Sequence, residues 1–415
     1  MEKNICKFNI WLFLIVIFLI FILNIFSPKN KTVSEVENRM LAGRPEFYVQ
    51  DLFSGQYFMD VENYFSDQFL NRENFIQASK ELSKYKGISR KEEVLLVDFE
   101  GQNVGGNSEE ESNSTAAEPA AKGNLLILDD TVMEIFKFNS DKSKLYADTL
   151  NAVQSMLGDN INVYSVLTPI QIEFLDNEKY KELSDSQFDA IEYVNSNLSE
   201  NIKAVDVYSA LQNHSDEYIY FRTDHHWTAL GAYYGYTAFA EAAGFVPLQL
   251  TKYREERFPG FLGYISNINP SKKVDESPDD VIYYNPPVDS EMTVYYYDKT
   301  TGEKKSYEGA VINEYYLETN QKYGVFIGGD FPLGIIKTEA KTDKKAMIIK
   351  DSNGNAFVPF LVPHYSEIYI VDPRSCKENI INIVKDNKID DVIFLNYILT
   401  TNFETFMDNI LGLTK

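Results

Sequence analysis

The chain has 415 residues, of which 44% are apolar and 24% charged, a composition that fills a sizeable core and excludes disorder as the main state. The 39 basic and 62 acidic residues leave a formal charge of −23, which repels phosphate backbones and excludes nucleic acid as an expected partner. The only two cysteines, Cys6 and Cys376, lie on either side of an apolar run, so we expect neither a disulfide nor a thiolate metal site.

The first candidate element is that apolar run, which extends from Ile10 to Phe26 with Asn24 as its one polar residue. As a helix starting at Phe8 it would span about 28 Å, close to the thickness of a bilayer core. We therefore expect a transmembrane anchor over residues 8–27, and no small-residue cleavage site follows it. Lysines on both sides leave the orientation open. A buried core helix of a soluble protein is the alternative interpretation.

Two further segments separate the anchor from the main domain. Residues 45–90 carry apolar side chains at helical spacing, including Tyr57, Val61 and Tyr64, which predicts a helical stem within residues 28–103. From Gly105 to Gly123 there is no aromatic or large aliphatic side chain. Such a segment cannot bury enough surface to order itself, so residues 104–122 are predicted to be a low-complexity acidic linker or loop.

The remainder of the chain, residues 123–415, alternates between strand-like and helix-like patterns. Predicted strands cover 124–130, 162–167, 203–208, 344–350, 367–372 and 391–396, and predicted helices begin after Ser140, Ser186, Thr228 and Lys377. This alternation predicts an α/β domain with a mostly parallel sheet covered by helices. Residues 293–309 are typical of a β-hairpin that turns at 299–302. We expect this hairpin to belong to a β-rich insertion near 285–340, close to the mouth of a site.

A pair of adjacent histidines is the most informative feature of the sequence. The segment YFRTDHHWT, residues 220–228, contains two of the four histidines and precedes a helix that Thr228 can cap. In extended backbone, residues two apart project from the same side, so Asp224 and His226 can touch whereas His225 points away. A carboxylate fixes the tautomer of an imidazole, and imidazole takes up a proton near neutral pH. The pattern therefore predicts the orienting acid and the base of a catalytic triad.

Two other interpretations of the histidine segment stay open. His225 and His226 can be a buried structural pair that is packed by Trp227. Together with Asp224 they can also ligate a metal, as Asp-His-His does in metal-dependent phosphoesterases. The further aspartate motifs of those enzymes are not found in this sequence.

A serine-containing turn supplies a candidate nucleophile. In MIIKDSNGNAFVPFL, residues 347–361, Ser352 follows a strand-like run and precedes a helix-like one. A serine in that place projects from the carboxyl end of a parallel strand, where open α/β sheets bind their ligands. Gly354 permits a tight turn, and amides at the start of the following helix can receive an oxyanion.

Four further residues are candidates for the surroundings of that serine. Asn396 ends the predicted strand 391–396 and, if the strands lie in order, can donate its side-chain amide to an oxyanion. A structural asparagine that closes the strand is the alternative. Arg222, Tyr220 and Tyr264 are predicted to line the substrate site.

The motifs TDHHWT, KDSNGNAF and VENRMLAGRPEF resemble the bacterial DHHW protein family. That family is similar to the AlgX and AlgJ group of alginate O-acetylation proteins within the SGNH hydrolase superfamily. The resemblance covers nearly everything after Lys31. It implies an SGNH-like α/β/α sandwich outside the membrane, with a Ser-His-Asp triad that acts on acyl esters of a cell-surface polymer. In the AlgX-like group Asp-x-His precedes the serine, and Asp224, His226 and Ser352 follow that order.

The sequence departs from the superfamily pattern at two positions. The usual Gly-Asp-Ser is Lys350-Asp351-Ser352 here, and the usual Gly-x-Asn-Asp is Phe394-Leu395-Asn396-Tyr397. Because the second departure changes the residues around Asn396, it weakens the prediction that Asn396 donates to an oxyanion.

The leading hypothesis is a membrane-anchored, extracytoplasmic O-acyltransferase or esterase for acetyl esters of a cell-surface or secreted polysaccharide. Ser352 would attack the ester, His226 would take its proton and Asp224 would hold His226. Neither a cofactor nor a metal is expected. The resemblance implies a membrane-bound acyltransferase as the acetyl donor. The alternative is a non-catalytic glycan-binding or scaffold protein of a complex that synthesises an envelope polysaccharide.

Overall fold

The computed structural model describes residues 11, 24, 33–34, 39–40, 43–45, 56–72, 74–75, 94–97, 125–264, 272–298 and 301–415. The predicted linker lies outside the described residues. The predicted anchor does as well, apart from Trp11 and Asn24, which are both helical. Within the described ranges, no helix has the length and apolar character needed to cross a membrane. The chain divides into two compact units, residues 1–89 with 267–270 and residues 90–266 with 271–415.

Among its described residues, the first unit has a short antiparallel pair of strands and the helix Gln56–Asp67. Strand β1, Val33–Ser34, pairs with β2, Arg39–Met40. Helix α1, Gln56–Asp67, lies where the spacing of apolar residues predicts a helical stem.

The second unit contains the remaining described elements. Its strands are β3 Val94–Val97, β4 Leu125–Leu128, β5 Thr131–Glu134, β6 Asn162–Thr168, β7 Ile202–Ala204, β8 Arg254–Phe261, β9 Asp279–Asn285, β10 Ser290–Tyr297, β11 Lys304–Gly309, β12 Leu333–Thr338, β13 Lys345–Lys350, β14 Glu367–Val371 and β15 Asp391–Tyr397. Its helices are α2 Ser140–Leu157, α3 Glu178–Lys181, α4 Gln187–Asn197, α5 Val207–Gln212, α6 Ala229–Ala242, α7 Lys272–Asp275, α8 Gly354–Leu361, α9 Ile380–Asn387 and α10 Glu404–Gly412. Short 3₁₀ turns cover Gln171–Phe174, Leu250–Lys252, Glu314–Glu318, Lys322–Val325, Val362–His364 and Ile398–Asn402.

An eight-stranded sheet with the order β11-β10-β12-β14-β13-β15-β6-β7 forms the centre of this unit. Neighbours from β14 to β7 pair in parallel, whereas β11, β10, β12 and β14 pair antiparallel. The α/β prediction is confirmed, and the sheet is mixed, with four parallel and three antiparallel pairings. Because β12 pairs with β14 along five residues, strands β10 to β12 of the predicted β-rich region near 285–340 belong to the central sheet.

Two smaller sheets complete the unit. Strands β3, β4 and β5 form an antiparallel sheet, and β8 pairs with β9. Because β3 pairs with β4, this unit begins at Arg90, ahead of residue 103, where the stem was predicted to end.

Hydrophobic cores cover both faces of the central sheet. Alternation along β13 sends Ile348 into one core, together with Trp227, and sends Met347 and Ile349 into the other, together with Tyr146. We call these the Trp227 core and the Tyr146 core. Helices α6 and α8 pack into the Trp227 core, and α2, α4, α9 and α10 pack into the Tyr146 core.

Local capping explains where several helices begin. Thr228 caps α6 as predicted, because its Oγ accepts a hydrogen bond from the amide of Gly231. The predicted strand 203–208 is shorter than expected, because the side chain of Asp206 accepts from the amide of Ser209 at 3.0 Å and starts α5. The chain therefore leaves β7 after Ala204.

Candidate active site

The segment that contains the two histidines is a tight turn held at both ends. Tyr220 and Trp227 form an isolated antiparallel bridge, and the amide of Thr228 donates to the carbonyl of Ile219 at 2.9 Å. The indole Nε1 of the fully buried Trp227 donates to the carbonyl of Asn353 at 2.9 Å. Trp227 thereby fixes the histidine turn against the turn that follows β13.

Asp224, His226 and Ser352 form a continuous hydrogen-bonded chain. His226 Nδ1 lies 2.5 Å from Asp224 Oδ1, and His226 Nε2 lies 2.8 Å from Ser352 Oγ. Asp224 and His226 are buried. With the ring proton on Nδ1, the lone pair of Nε2 faces the serine hydroxyl, which is the arrangement a base needs to remove the hydroxyl proton.

The carboxylate of Asp224 is held by backbone amides as well as by the imidazole. The amide of His226 donates to Oδ1 at 3.0 Å, and the amide of Tyr264 donates to Oδ2 at 2.8 Å. Burial alone would raise the pKa of Asp224, but the two histidines and the Tyr264 amide outweigh it and hold the pKa below its usual range. Asp224 is therefore an anion that can stabilise an imidazolium.

Gly263 allows the chain to pass close to that carboxylate. A Cβ atom at this position would lie 2.3 Å from Asp224 Cβ and 2.5 Å from Asp224 Oδ2. The Gly263 amide also donates to Thr223 Oγ1 at 2.9 Å. Because a Cβ atom would collide with Asp224, position 263 requires glycine. No sequence motif indicates this requirement.

Two aromatic rings contact the imidazole of His226. Tyr323 stacks on it with ring centroids 3.8 Å apart and planes 12° apart, and its hydroxyl donates to the carbonyl of Ser352 at 3.1 Å. The ring of His225 has its centroid 3.9 Å from that of His226. Burial, followed by the charge of His226, lowers the pKa of His225, which favours the neutral form of this second imidazole.

Asp351 connects the serine turn to the end of β15 and the turn that follows it. Its carboxylate accepts hydrogen bonds from the amide of Asn353, the amide of Tyr397 and the hydroxyl of Thr400, each at 2.9 Å. Burial raises the pKa of Asp351 even though these bonds oppose the shift. Within the described part of the chain, the Ser352 amide donates to no acceptor. It is therefore available to stabilise an oxyanion.

Asn396 does not have the arrangement predicted for an oxyanion donor. It is fully buried, its Oδ1 accepts from the Tyr146 hydroxyl at 2.9 Å, and its Nδ2 faces Asp351 Oδ2 at 3.4 Å. The reason is the alternation of β15, which places Asn396 with Phe394 on the face of the Tyr146 core. Asn396 is the last residue but one of β15, and its side chain is held in these structural hydrogen bonds.

Tyr220 and Arg222 are held in structural contacts rather than beside the serine. The Tyr220 hydroxyl donates to the carbonyl of Pro169 at 2.7 Å, and Arg222 pairs with Asp130 at 2.9 Å and Asp279 at 3.2 Å. Both residues line a cavity of about 340 Å³ whose described lining does not include the hydrogen-bonded chain of Asp224, His226 and Ser352. Of the three predicted substrate contacts, only Tyr264 lies at the candidate site.

The metal interpretation has some geometric support. Ligand atoms of Asp224, His225 and His226 lie within 4.8 Å of one another. However, Nδ1 of His226 contacts Asp224 and Nε2 contacts Ser352, so both ring nitrogens already have protein partners. This arrangement fits a proton-transferring histidine better than a metal ligand.

Sequence reasoning missed Tyr323 and Glu134. Tyr323 lies in a 3₁₀ turn far from the motifs, and no local pattern marks it. Glu134 ends β5, and its Oε2 is buried without a hydrogen-bond partner among the described residues. The available signal was the alternation in TVMEIF, residues 131–136, which places a carboxylate on the same face as the buried Val132.

Comparisons with known proteins agree with the resemblance carried by the motifs. A model of the DHHW protein family matches residues 91–371, which is more than half of the chain. The crystal structure of a DHHW family protein from Eubacterium siraeum is 30% identical, with a TM-score of 0.60, and the match covers 69% of this chain and 94% of that chain.

Other solved structures match at lower identity, and no curated protein matches. Bacillus cereus PatB1, in a structure with a sulfonyl adduct, is 18% identical with a TM-score of 0.56, and the match covers 68% of this chain and 97% of that chain. The O-acetyltransferase domain of Pseudomonas putida AlgJ is 13% identical with a TM-score of 0.40, over 69% of this chain and 96% of that chain. From the family model and the Eubacterium siraeum relative, this chain belongs to the DHHW protein family.

Proposed function

We propose that this protein is a serine O-acyltransferase or esterase that acts on acetyl esters of a cell-surface or secreted polysaccharide. The observation that carries the proposal is the hydrogen-bonded chain from Asp224 through His226 to Ser352, with contacts of 2.5 and 2.8 Å. A nucleophile, a base and an orienting anion at these distances are the parts that acyl transfer requires.

The reaction steps follow from the order of these three residues in the hydrogen-bonded chain. Ser352 Oγ attacks the ester carbonyl while His226 Nε2 takes its proton, and the amide of Ser352 donates to the oxyanion. The leaving alcohol departs with the proton from His226, which leaves an acyl ester on Ser352. A second hydroxyl, from water or a sugar, then gives its proton to His226, attacks the carbonyl and releases Ser352 Oγ, which regains the proton.

The substrate class and the location rest on the family resemblance. DHHW proteins resemble polysaccharide O-acetylation proteins, so we assign the polymer as the acyl donor or acceptor. The apolar run over residues 8–27 supports a single-pass anchor, with the second unit outside the cytoplasmic membrane. Because acetyl-CoA is a cytoplasmic compound, transfer outside the membrane would need a membrane-bound acyltransferase as the acetyl donor.

A non-catalytic glycan-binding or scaffold role is the second candidate, and exposed tyrosines favour it. Tyr296 and Tyr307 lie on neighbouring strands with ring centroids 6.0 Å apart, and they are 38% and 49% exposed. Aromatic rings at a surface stack on the apolar faces of sugars. This role would require neither a reactive Ser352 nor a proton-accepting His226.

The test is hydrolysis of an aryl acetate by the full chain in detergent, together with labelling by a sulfonyl fluoride. We expect acetate release and one label on Ser352, both lost in Ser352→Ala and His226→Ala with folding intact. The matched control is Ser306→Ala, an exposed serine of β11. Labelling elsewhere, or activity retained in Ser352→Ala, would contradict the proposal, and inhibition by a chelator would favour the metal interpretation.

A further inference from the structure

Glu134 is a carboxylate of the candidate site that the mechanism above does not use. Alternation along β5 places it on the same strand face as Val132. The amide of Val132 donates to the carbonyl of Arg222 at 2.8 Å. This bond ties β5 to the segment that leads into Asp224, so the end of the strand is fixed relative to the histidine turn.

The side chain of Glu134 has an unsatisfied oxygen. Its Oε2 is the only buried carboxylate oxygen, among the residues described, that lacks a hydrogen-bond partner. Such an oxygen is unfavourable unless something donates to it. Burial raises the pKa of Glu134, and the charges of His225, Asp224 and Asp351 also act on it, so the group lies within electrostatic reach of the proposed catalytic residues.

Polar aromatic side chains surround the same place. The ring of His225 lies 6.1 Å from that of Tyr264 and 6.3 Å from that of Tyr397, measured between centroids. The His225 side chain remains 18% exposed. Burial, followed by the charges of Glu134 and Asp351, raises the pKa of Tyr397 well above its usual value. Its phenol therefore stays protonated and can donate a hydrogen bond.

These groups match a ligand that carries several hydroxyls. A carboxylate oxygen accepts from a hydroxyl, a neutral imidazole both donates and accepts, and a phenol does the same. A sugar carries several hydroxyls, and each of them can both donate and accept a hydrogen bond. A purely apolar ester group would leave the Glu134 oxygen without a donor.

We infer that Glu134 and His225 bind the hydroxyl-bearing acyl acceptor, a sugar, beside Ser352. The inference rests on the proposed function and names the acceptor class and the residues that position it. One sugar hydroxyl donates to Glu134 Oε2 while a neighbouring hydroxyl faces the acyl ester. That second hydroxyl gives its proton to His226 Nε2, its oxygen bonds to the carbonyl carbon, and Ser352 Oγ leaves with the proton.

The test compares transfer with hydrolysis, because both reactions consume the same acyl-enzyme. The full chain in detergent is given an aryl acetate with glycerol, methyl glucoside or tetra-N-acetylchitotetraose, and acetylated acceptor is measured against free acetate. We expect Glu134→Gln to lower this ratio by about tenfold or more, equivalent to about 1.4 kcal/mol, and to raise the KM for the acceptor. The matched control is Glu182→Gln, an exposed glutamate, which should leave the ratio at the parent value.

The outcomes separate this inference from the proposed function. A parent that releases acetate but acetylates none of the three acceptors, or an unchanged ratio in Glu134→Gln, would overturn the acceptor role while the esterase stands. A parent with neither hydrolysis nor sulfonyl labelling refutes the proposed function. In that case, binding of tetra-N-acetylchitotetraose is measured with full-length Ser352→Ala, with and without Glu134→Gln. This comparison decides whether Glu134 belongs to a sugar-binding subsite. Weaker binding in the double variant supports it, and equal or absent binding overturns it.

Discussion

At the residue scale, the tautomer of His226 depends on Asp224. Replacing Asp224 by asparagine keeps the shape but puts an amide next to Nδ1, which lies 2.5 Å from the carboxylate in the parent. An amide that donates to Nδ1 moves the ring proton to Nε2, where it blocks proton transfer from Ser352. We expect hydrolysis of an aryl acetate to fall on the order of 10³–10⁴-fold in Asp224→Asn. A loss of less than tenfold would argue against the orienting role, and Asp176→Asn, at an exposed aspartate, is the control.

A second residue-scale prediction concerns Gly263. An alanine Cβ would meet the Asp224 side chain at 2.3 and 2.5 Å and the carbonyl oxygen of Thr223 at 2.6 Å, and a backbone oxygen cannot move away cheaply. We expect Gly263→Ala to lower the free energy of unfolding by about 1–3 kcal/mol. Displacement of Asp224 should also reduce hydrolysis on the order of 100-fold. Gly412→Ala, where nothing lies within 4 Å of the added atom, should change neither urea denaturation nor activity appreciably.

At the scale of elements, Trp227 joins the start of α6 to the start of α8. Its indole donates to the Asn353 carbonyl and its ring lies parallel to that of Phe357, with centroids 6.4 Å apart. Trp227→Phe keeps an aromatic ring but leaves that carbonyl without its donor, which should cost about 1–3 kcal/mol of unfolding free energy. Urea denaturation measures this loss, and Phe138→Leu, at a 39% exposed ring, should be nearly neutral. Equal stability of Trp227→Phe and the parent would show that the two turns do not depend on this bond.

The helices and strands also show how much of the fold could be predicted from the sequence. Helix α2 and strands β13 to β15 carry clear local periods, so they were found close to their observed bounds. The hairpin of β10 and β11 was also found, but its membership of the central sheet depends on pairing between β12 and β14. That pairing joins residues 30 to 38 positions apart, and no local pattern encodes it.

The candidate site likewise contains residues that sequence motifs predicted and residues whose position depends on the tertiary structure. Asp224, His226 and Ser352 each lie in a short motif, and the motifs were enough to predict that they would meet. Asn396 was predicted to lie at the sheet edge of Ser352, but its motif marks only the end of a strand and not the face of the sheet to which its side chain points. Glu134 comes from a separate small sheet, so its approach to the histidines is a tertiary fact that a sequence pattern alone does not determine.

At the scale of the whole molecule, a network of charged side chains holds β13, the strand that leads into the serine turn. Lys350, the last residue of β13, is completely buried and pairs with Asp330 at 2.9 Å. Asp330 also pairs with Arg374 at 2.7 Å and accepts from Asn355 in α8 at 3.1 Å. Burial opposes ionisation of Asp330, but Lys350 and Arg374 outweigh it and hold its pKa well below the usual range. One carboxylate therefore links the strand before Ser352 to the helix after it.

This network predicts how stability changes with pH. Because the pKa of Asp330 is lower in the folded chain than in the unfolded chain, the unfolded chain binds more protons as the medium is acidified. The contribution of Asp330 is therefore present above its unfolded pKa, about 4, and is lost as pH falls through the folded value. Asp224, whose pKa is also lowered, acts in the same direction. The raised pKa values of Glu134 and Asp351 have the opposite effect, because that contribution is present at low pH and is lost as pH rises.

The variant Asp330→Asn isolates the contribution of this one group. At pH 7 it leaves the buried Lys350 ammonium without its anion, and we expect a loss of about 1–3 kcal/mol of unfolding free energy. The difference between parent and variant should shrink between pH 5 and pH 3, because the parent alone has this carboxylate to protonate. Urea denaturation of the full chain at pH 7, 5 and 3 measures the difference, with Asp176→Asn as the exposed control. A gap that stays constant over this range would mean that Asp330 does not stabilise the fold as an anion.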